Sequence, residues 1–173
     1  MKTFLIFSIF GALLASLEYG FFHGIGGIFL NFFVTLLIII WLQFFFAGHG
    51  PYFFAAGSAL VAEMGSPYAF GFIIIMMLGA CATASFLSKK VFTNRSVYSY
   101  LATITLSVLS FYVLAMISAI TTFFYEGAAF IQPFPMNLSD IIGIASVNFV
   151  FAILLFVVTN LTTKRMRAAF IMR

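Results

Sequence analysis

Charge is what this chain has least of. Only 7% of its 173 residues are Asp, Glu, Lys or Arg: four acids and eight bases. A soluble domain carries about a quarter charged residues. With 64% hydrophobic residues and a mean hydropathy of +1.20, the chain has no means of covering itself with a polar surface, and a bilayer is the solvent it suits. Cysteine occurs once, as Cys81 inside an apolar run, so an internal disulfide is excluded and the thiol reads as a small packing residue. Histidine occurs twice, and His23 and His49 are expected on opposite membrane faces, which excludes a shared metal. There is no Ser-His-Asp set, no phosphate-cradling Gly-rich loop, no CxxC and no paired carboxylates with a base. The sequence therefore predicts no enzyme, no metal site and no cofactor.

What is abundant is phenylalanine, 26 residues, which suits lipid-facing surfaces. The apolar runs are interrupted by "HGIGG" (23–27), "GHGP" (48–51), "GSP" (65–67), "SKKVFTNR" (88–95) and "EGAAFIQPFPMNLSD" (126–140). All four prolines, Pro51, Pro67, Pro133 and Pro135, fall in these breaks, as expected of a residue without an N–H. The expectation is an all-α integral membrane protein with a single transmembrane domain over 1–173. Its six spans lie at about 3–22, 27–46, 52–64, 68–87, 97–124 and 141–163. The start "MKTFLIFSIFGALLAS" imitates a secretory signal. Its apolar character continues to Phe22, long enough to cross, so it reads as a retained first span.

Taken as one helix, 52–87 would be about 54 Å long, against a hydrocarbon core of roughly 30 Å. Two spans fit better, and charge agrees. With six spans and both termini inside, Lys2, Lys89, Lys90, Arg95, Lys164, Arg165, Arg167 and Arg173 all share the cytoplasmic side. Five spans would split them. The pI of 9.4 thus reads as a topology signal rather than a nucleic-acid footprint. Tyr19, Tyr68 and Tyr125 fall at the expected outer interface; Tyr52, Tyr98 and Tyr100, with Trp41 slightly deeper, fall at the inner one.

The third span is short and ends in Glu63, a carboxylate among apolar residues. Every Lys and Arg is expected on the other side, so no internal salt bridge is available. That leaves a protonated acid, an acid held by hydroxyls and His23, or one paired with a cation from elsewhere. A possible polar site comprises Glu63, His23 and Glu18. Small residues cluster in three spans: Gly11, Ala12, Ala15 and Ser16; Ala55, Ala56, Gly57, Ser58, Ala59 and Ala62; Gly79, Ala80, Cys81, Ala82, Thr83 and Ala84. Small residues four apart let helix backbones approach closely. They suit internal packing or a docking face for a partner, and Glu63, Gly57, Ala59, Gly65, Gly79 and Ala80 are the candidate partner-binding residues.

The order of these features resembles the bacterial rod-shape-determining MreD family. The likeness runs from "GIGGIFLNFFVTLLIIIWLQFF" through "FFAAGSALVAEMGSPYAFGFIIIMMLGACATASFLSKK" to "TNLTTKRMR". It is carried by a small-residue helix ending in an acid, a Gly/Ser turn, a Gly-containing helix and a basic loop: Gly57, Glu63, Gly65, Ser66, Gly71, Gly79 and Lys89/Lys90. The resemblance implies a non-enzymatic scaffold of the cell-shape and wall-elongation machinery in the inner (cytoplasmic) membrane, with MreC-like and peptidoglycan-synthesis membrane proteins as partners. The architecture is also similar to the S components of ECF transporters. That likeness implies the alternative, a solute-binding subunit of an ATP-driven vitamin transporter.

Overall fold

A computed structural model describes residues 2–22, 34–46, 48–65, 70–93, 96–126 and 138–171. Among these the chain is entirely helical, with six helices: α1 (Lys2–Leu17, continued by a π turn Glu18–Phe22), α2 (Val34–Phe45), α3 (Gly50–Met64), α4 (Phe72–Phe86, continued by a π turn Leu87–Val91), α5 (Val97–Glu126) and α6 (Leu138–Ile171). Two stretches, Phe72–Val91 and Val97–Thr121, are long and apolar enough to cross a membrane, while Phe4–Gly20, Val34–Phe45 and Ser146–Thr162 are shorter apolar helices.

Local chemistry sets several boundaries. Pro51 sits in the first turn of α3, where its missing N–H costs nothing. The carbonyl of His49 accepts from the backbone N–H groups of Tyr52 and Phe53 at 3.1 and 3.3 Å, opening that helix. Gly71 precedes α4 with φ of +101°, a left-handed conformation natural only to glycine. The fourth helix begins at 72 rather than 68, and its π turn carries it to Val91. The last helix runs past the expected 163 to Ile171; its 34 residues span about 51 Å at 1.5 Å each.

The tightest packing joins α1 to α3, and the two run parallel. Phe7 lies against Gly50, Ser8 Oγ donates to the Phe53 carbonyl at 3.1 Å, and Tyr19 lies beside Gly65. At the crossing, the position a Cβ would take on Gly11 is filled by the Phe54 backbone, and that on Gly57 by the Ser8 backbone. Helix α4 packs antiparallel on α5: Leu114 fills the space beside Gly79, and one turn on Thr83 and Ser110 share a 3.0 Å hydrogen bond. The rings of Phe44, Phe45, Tyr100 and Phe156 join the end of α2 and the start of α5 to α6, at centroid distances of 5.2–5.9 Å. Trp41 Nε1 donates to Thr159 Oγ1 at 2.8 Å, tying α2 to α6 a second time.

These contacts put the starts of α1, α3 and α5 and the ends of α2 and α4 at one pole. Lys2, Lys89 and Lys90 lie at this pole, and Lys164, Arg165 and Arg167 lie on the last turns of α6. Glu18 and Glu63 lie at the opposite pole, with Glu126 closing α5 and Asp140 in the first turn of α6. Arg95 and Arg173 lie outside the described residues. The interior is apolar, centred on Leu36, Leu37, Ile39, Ile40, Ala55, Ala59, Met76 and Ala80. The exterior is equally apolar: Phe4, Ile9, Phe10, Leu13, Ile75, Leu109, Val113, Leu154 and Val158 are all exposed. Water-soluble monomers rarely leave such continuous apolar surface uncovered.

Candidate functional site

The acid pole answers what Glu63 faces. Its side chain is 6% exposed, and both carboxylate oxygens accept backbone N–H groups from the start of the next helix. Oε1 accepts from Gly71 at 2.9 Å, and Oε2 accepts from Ile74 at 3.1 Å. The first N–H groups of a helix have no partner within it, and the helix dipole places partial positive charge there. A buried carboxylate loses its hydration, and two charge-assisted hydrogen bonds to such a terminus offset that loss. Glu63 is therefore a cap supplied by one helix to the next, clamping the α3–α4 turn shut.

Glu18 repeats the device. It stands in the π turn that ends α1, is 7% exposed, and its Oε2 accepts the backbone N–H of Thr35, the second residue of α2, at 2.7 Å. Tyr19 sits between the two acids, its ring near Gly65 and within electrostatic reach of both carboxylates. The two hairpins, α1–α2 and α3–α4, thus share one construction. In each, a helix ends in a glutamate that caps the following helix, and each of the two glutamate-bearing helices contributes one glycine to their mutual crossing.

The structure brings Glu18 and Glu63 to one pole, as the proposed polar site requires; His23 lies outside the described residues. Backbone amides serve both acids, two for Glu63 and one for Glu18. Sequence reasoning missed this answer. It searched side chains for a partner, although "EMGSPYAFG" carried the signal: an acid ending one helix, a short Gly/Pro turn, and a helix beginning within reach. Of the candidate partner-binding residues, Gly57 is buried against Ser8, Ala59 and Ala80 are fully buried in the core, and Gly79 is half-buried against Leu114. Their small size is spent on packing within the chain. Gly65 is exposed, flanked by Met64, the most exposed large apolar side chain described at 89%, and followed after the turn by Phe70 at 82%.

Two interface readings need correction. Tyr100, expected in the inner aromatic belt, is wholly buried, because it starts the inward face of α5 and stacks among Phe44, Phe45 and Phe156. Trp41 turns its polar edge to Thr159 rather than to an interface. Tyr98 alone of that group is strongly exposed. Four buried polar atoms have no hydrogen-bond partner among the described residues: Thr35 Oγ1, Gln43 Nε2, Tyr100 OH and Ser107 Oγ. Gln43 Oε1 accepts a long 3.8 Å contact from Cys81 Sγ. No group of three or more metal-ligating side chains occurs among the described residues.

No family model matches the chain, and no curated protein or solved structure matches it either.

Proposed function

We propose that the chain is a six-span integral protein of the cytoplasmic membrane, with both termini inside, that works as a non-enzymatic scaffold by contact with other membrane proteins. The observation that carries this reading is the distribution of polarity. Among the described residues, apolar side chains occupy the exterior as well as the core, while Lys89 and Lys90 lie at one pole and Glu18 and Glu63 at the other. In water that exterior would aggregate; in lipid it is the ordinary outer surface of a bundle. The basic pole is then cytoplasmic.

Contact rather than chemistry is favoured by how the buried acids are used. Glu18 and Glu63 are committed to helix caps. The rim they hold in place carries Met64, Gly65 and Phe70 at the acid pole, and this is the surface we assign to a partner. Glu63 is then a positioning residue. On the resemblance to the MreD family, the partners are MreC-like and wall-synthesis membrane proteins. A solute-binding subunit of an ATP-driven transporter is the second reading. It draws on the unpartnered interior groups of Gln43, Tyr100 and Ser107, which a polar solute would satisfy.

The test is mild-detergent purification of the tagged chain from native membranes, with mass spectrometry of co-eluting proteins. Wall-synthesis proteins, lost on Met64→Asp with Phe70→Asp, support the scaffold. An ATPase pair with a coupling membrane protein replaces it with the transporter subunit.

A further inference from the structure

The basic pole is more than a topology marker. Lys89 and Lys90 stand exposed in the π turn that ends α4, and that turn packs against the start of α5. Among the described residues their exposed neighbours in the chain include Phe86 and Val91, which bracket them, and Val97 and Tyr98, which open α5, together with the small polar Thr93. All four acids of the chain belong to other elements: Glu18, Glu63 and Glu126 to the ends of α1, α3 and α5, and Asp140 to the first turn of α6. The two acids whose side chains are described, Glu18 and Glu63, lie at the opposite pole from these lysines.

We propose that the π turn ending α4 is a binding surface for the phosphate headgroups of anionic phospholipids, with Lys89 and Lys90 as its charged contacts. The inference rests on the membrane reading above. Two features select lipid over an acidic protein or nucleic acid. The turn that carries the cations also exposes hydrocarbon at Phe86 and Val91, which a headgroup with its acyl chains covers and a hydrated polyanion does not. The flanking Phe86, Val91 and Tyr98 also fit the boundary where chains give way to headgroups. A juxtamembrane lysine attracts anionic lipid by about 1 kcal/mol, or roughly fivefold in binding.

The experiment uses the full chain purified in mild detergent and titrated with phosphatidylglycerol or phosphatidylcholine of matched acyl chains. Retained lipid is counted by native mass spectrometry. The expected result is preferential retention of phosphatidylglycerol, reduced by roughly fivefold per lysine in Lys89→Gln and Lys90→Gln and preserved in the Lys89→Arg/Lys90→Arg double variant. Equal retention of both lipids, or a preference unmoved by the Gln variants, overturns the proposal. So does displacement of the lipid by an acidic peptide at equal charge, which would give the surface to a protein. Carbonate extraction of native membranes keeps the two levels apart. A chain released into the aqueous fraction defeats the membrane reading itself; a chain retained without lipid preference defeats only this inference.

Discussion

The carboxylate of Glu63 and the backbone amide of Gly71 lie 2.9 Å apart, joining the last turn of α3 to the first residue before α4. Because Gly71 holds a left-handed backbone there, its N–H can turn toward the acid. Glu63→Ala strands two N–H groups and should cost about 3–6 kcal/mol in the isolated chain, since hydrogen bonds to charged groups contribute about 1.5–3 each. Glu63→Gln keeps an acceptor and should cost clearly less. Thermal unfolding in detergent micelles measures both. A carboxylate waiting for a partner's cation would instead leave the isolated chain's stability unmoved by either change.

Glu18→Ala removes the bond to the Thr35 amide and should destabilise by about 1–2 kcal/mol, in the range of a lost helix cap. Amide hydrogen exchange localises the effect. Faster exchange should appear at the start of α2 for this variant and at the start of α4 for Glu63→Ala, with little crossover between the hairpins.

The glycines differ by what stands opposite them. A methyl group on Gly57 meets the Ser8 backbone, and one on Gly11 meets the Phe54 backbone, neither of which can move alone. Each Gly→Ala change should cost at least about 2 kcal/mol through overpacking. A methyl on Gly79 meets only the tip of Leu114, which has other rotamers. Gly79→Ala should stay within about 1 kcal/mol, the gain in helix propensity offsetting the adjustment. Equal costs at 57 and 79 would mean that α1 and α3 do not cross on their glycines.

The Tyr100 hydroxyl is buried without a partner among the described residues, whereas its ring stacks on Phe44, Phe45 and Phe156. Tyr100→Phe should therefore be neutral or stabilising, and Tyr100→Ala should cost about 3–5 kcal/mol. A marked loss in the Phe variant would show that the hydroxyl is engaged, as by an internal solute.

Topology is open to direct measurement because Cys81 is buried and leaves a quiet background. Cysteine placed at exposed Met64 should react with a membrane-impermeant maleimide in intact cells. At exposed Lys89 it should react only after permeabilisation. Labelling of both from one side would remove the six-span arrangement.

How much of this was legible beforehand follows from the physics of each feature. Composition alone pointed to an apolar helical chain, because 7% charge leaves little polar surface, and two helices are long and apolar enough to cross a membrane. Apolar runs with Gly and Pro punctuation were enough to indicate six helices, because helix breaking is a local property of the backbone. The tertiary structure decided what sequence periodicity leaves degenerate. It spent the small residues of α1, α3 and α4 on one another, since close backbone approach is a property of pairs of helices, and Gly57 looks the same in sequence whether it meets Ser8 or another protein. It turned Tyr100 inward, since burial of a side chain depends on which face its helix presents. It also supplied Glu63 and Glu18 with backbone partners. An amide at a helix start carries no side-chain signature, and it becomes a partner for a distant acid only once two helices have folded back to bring their ends together.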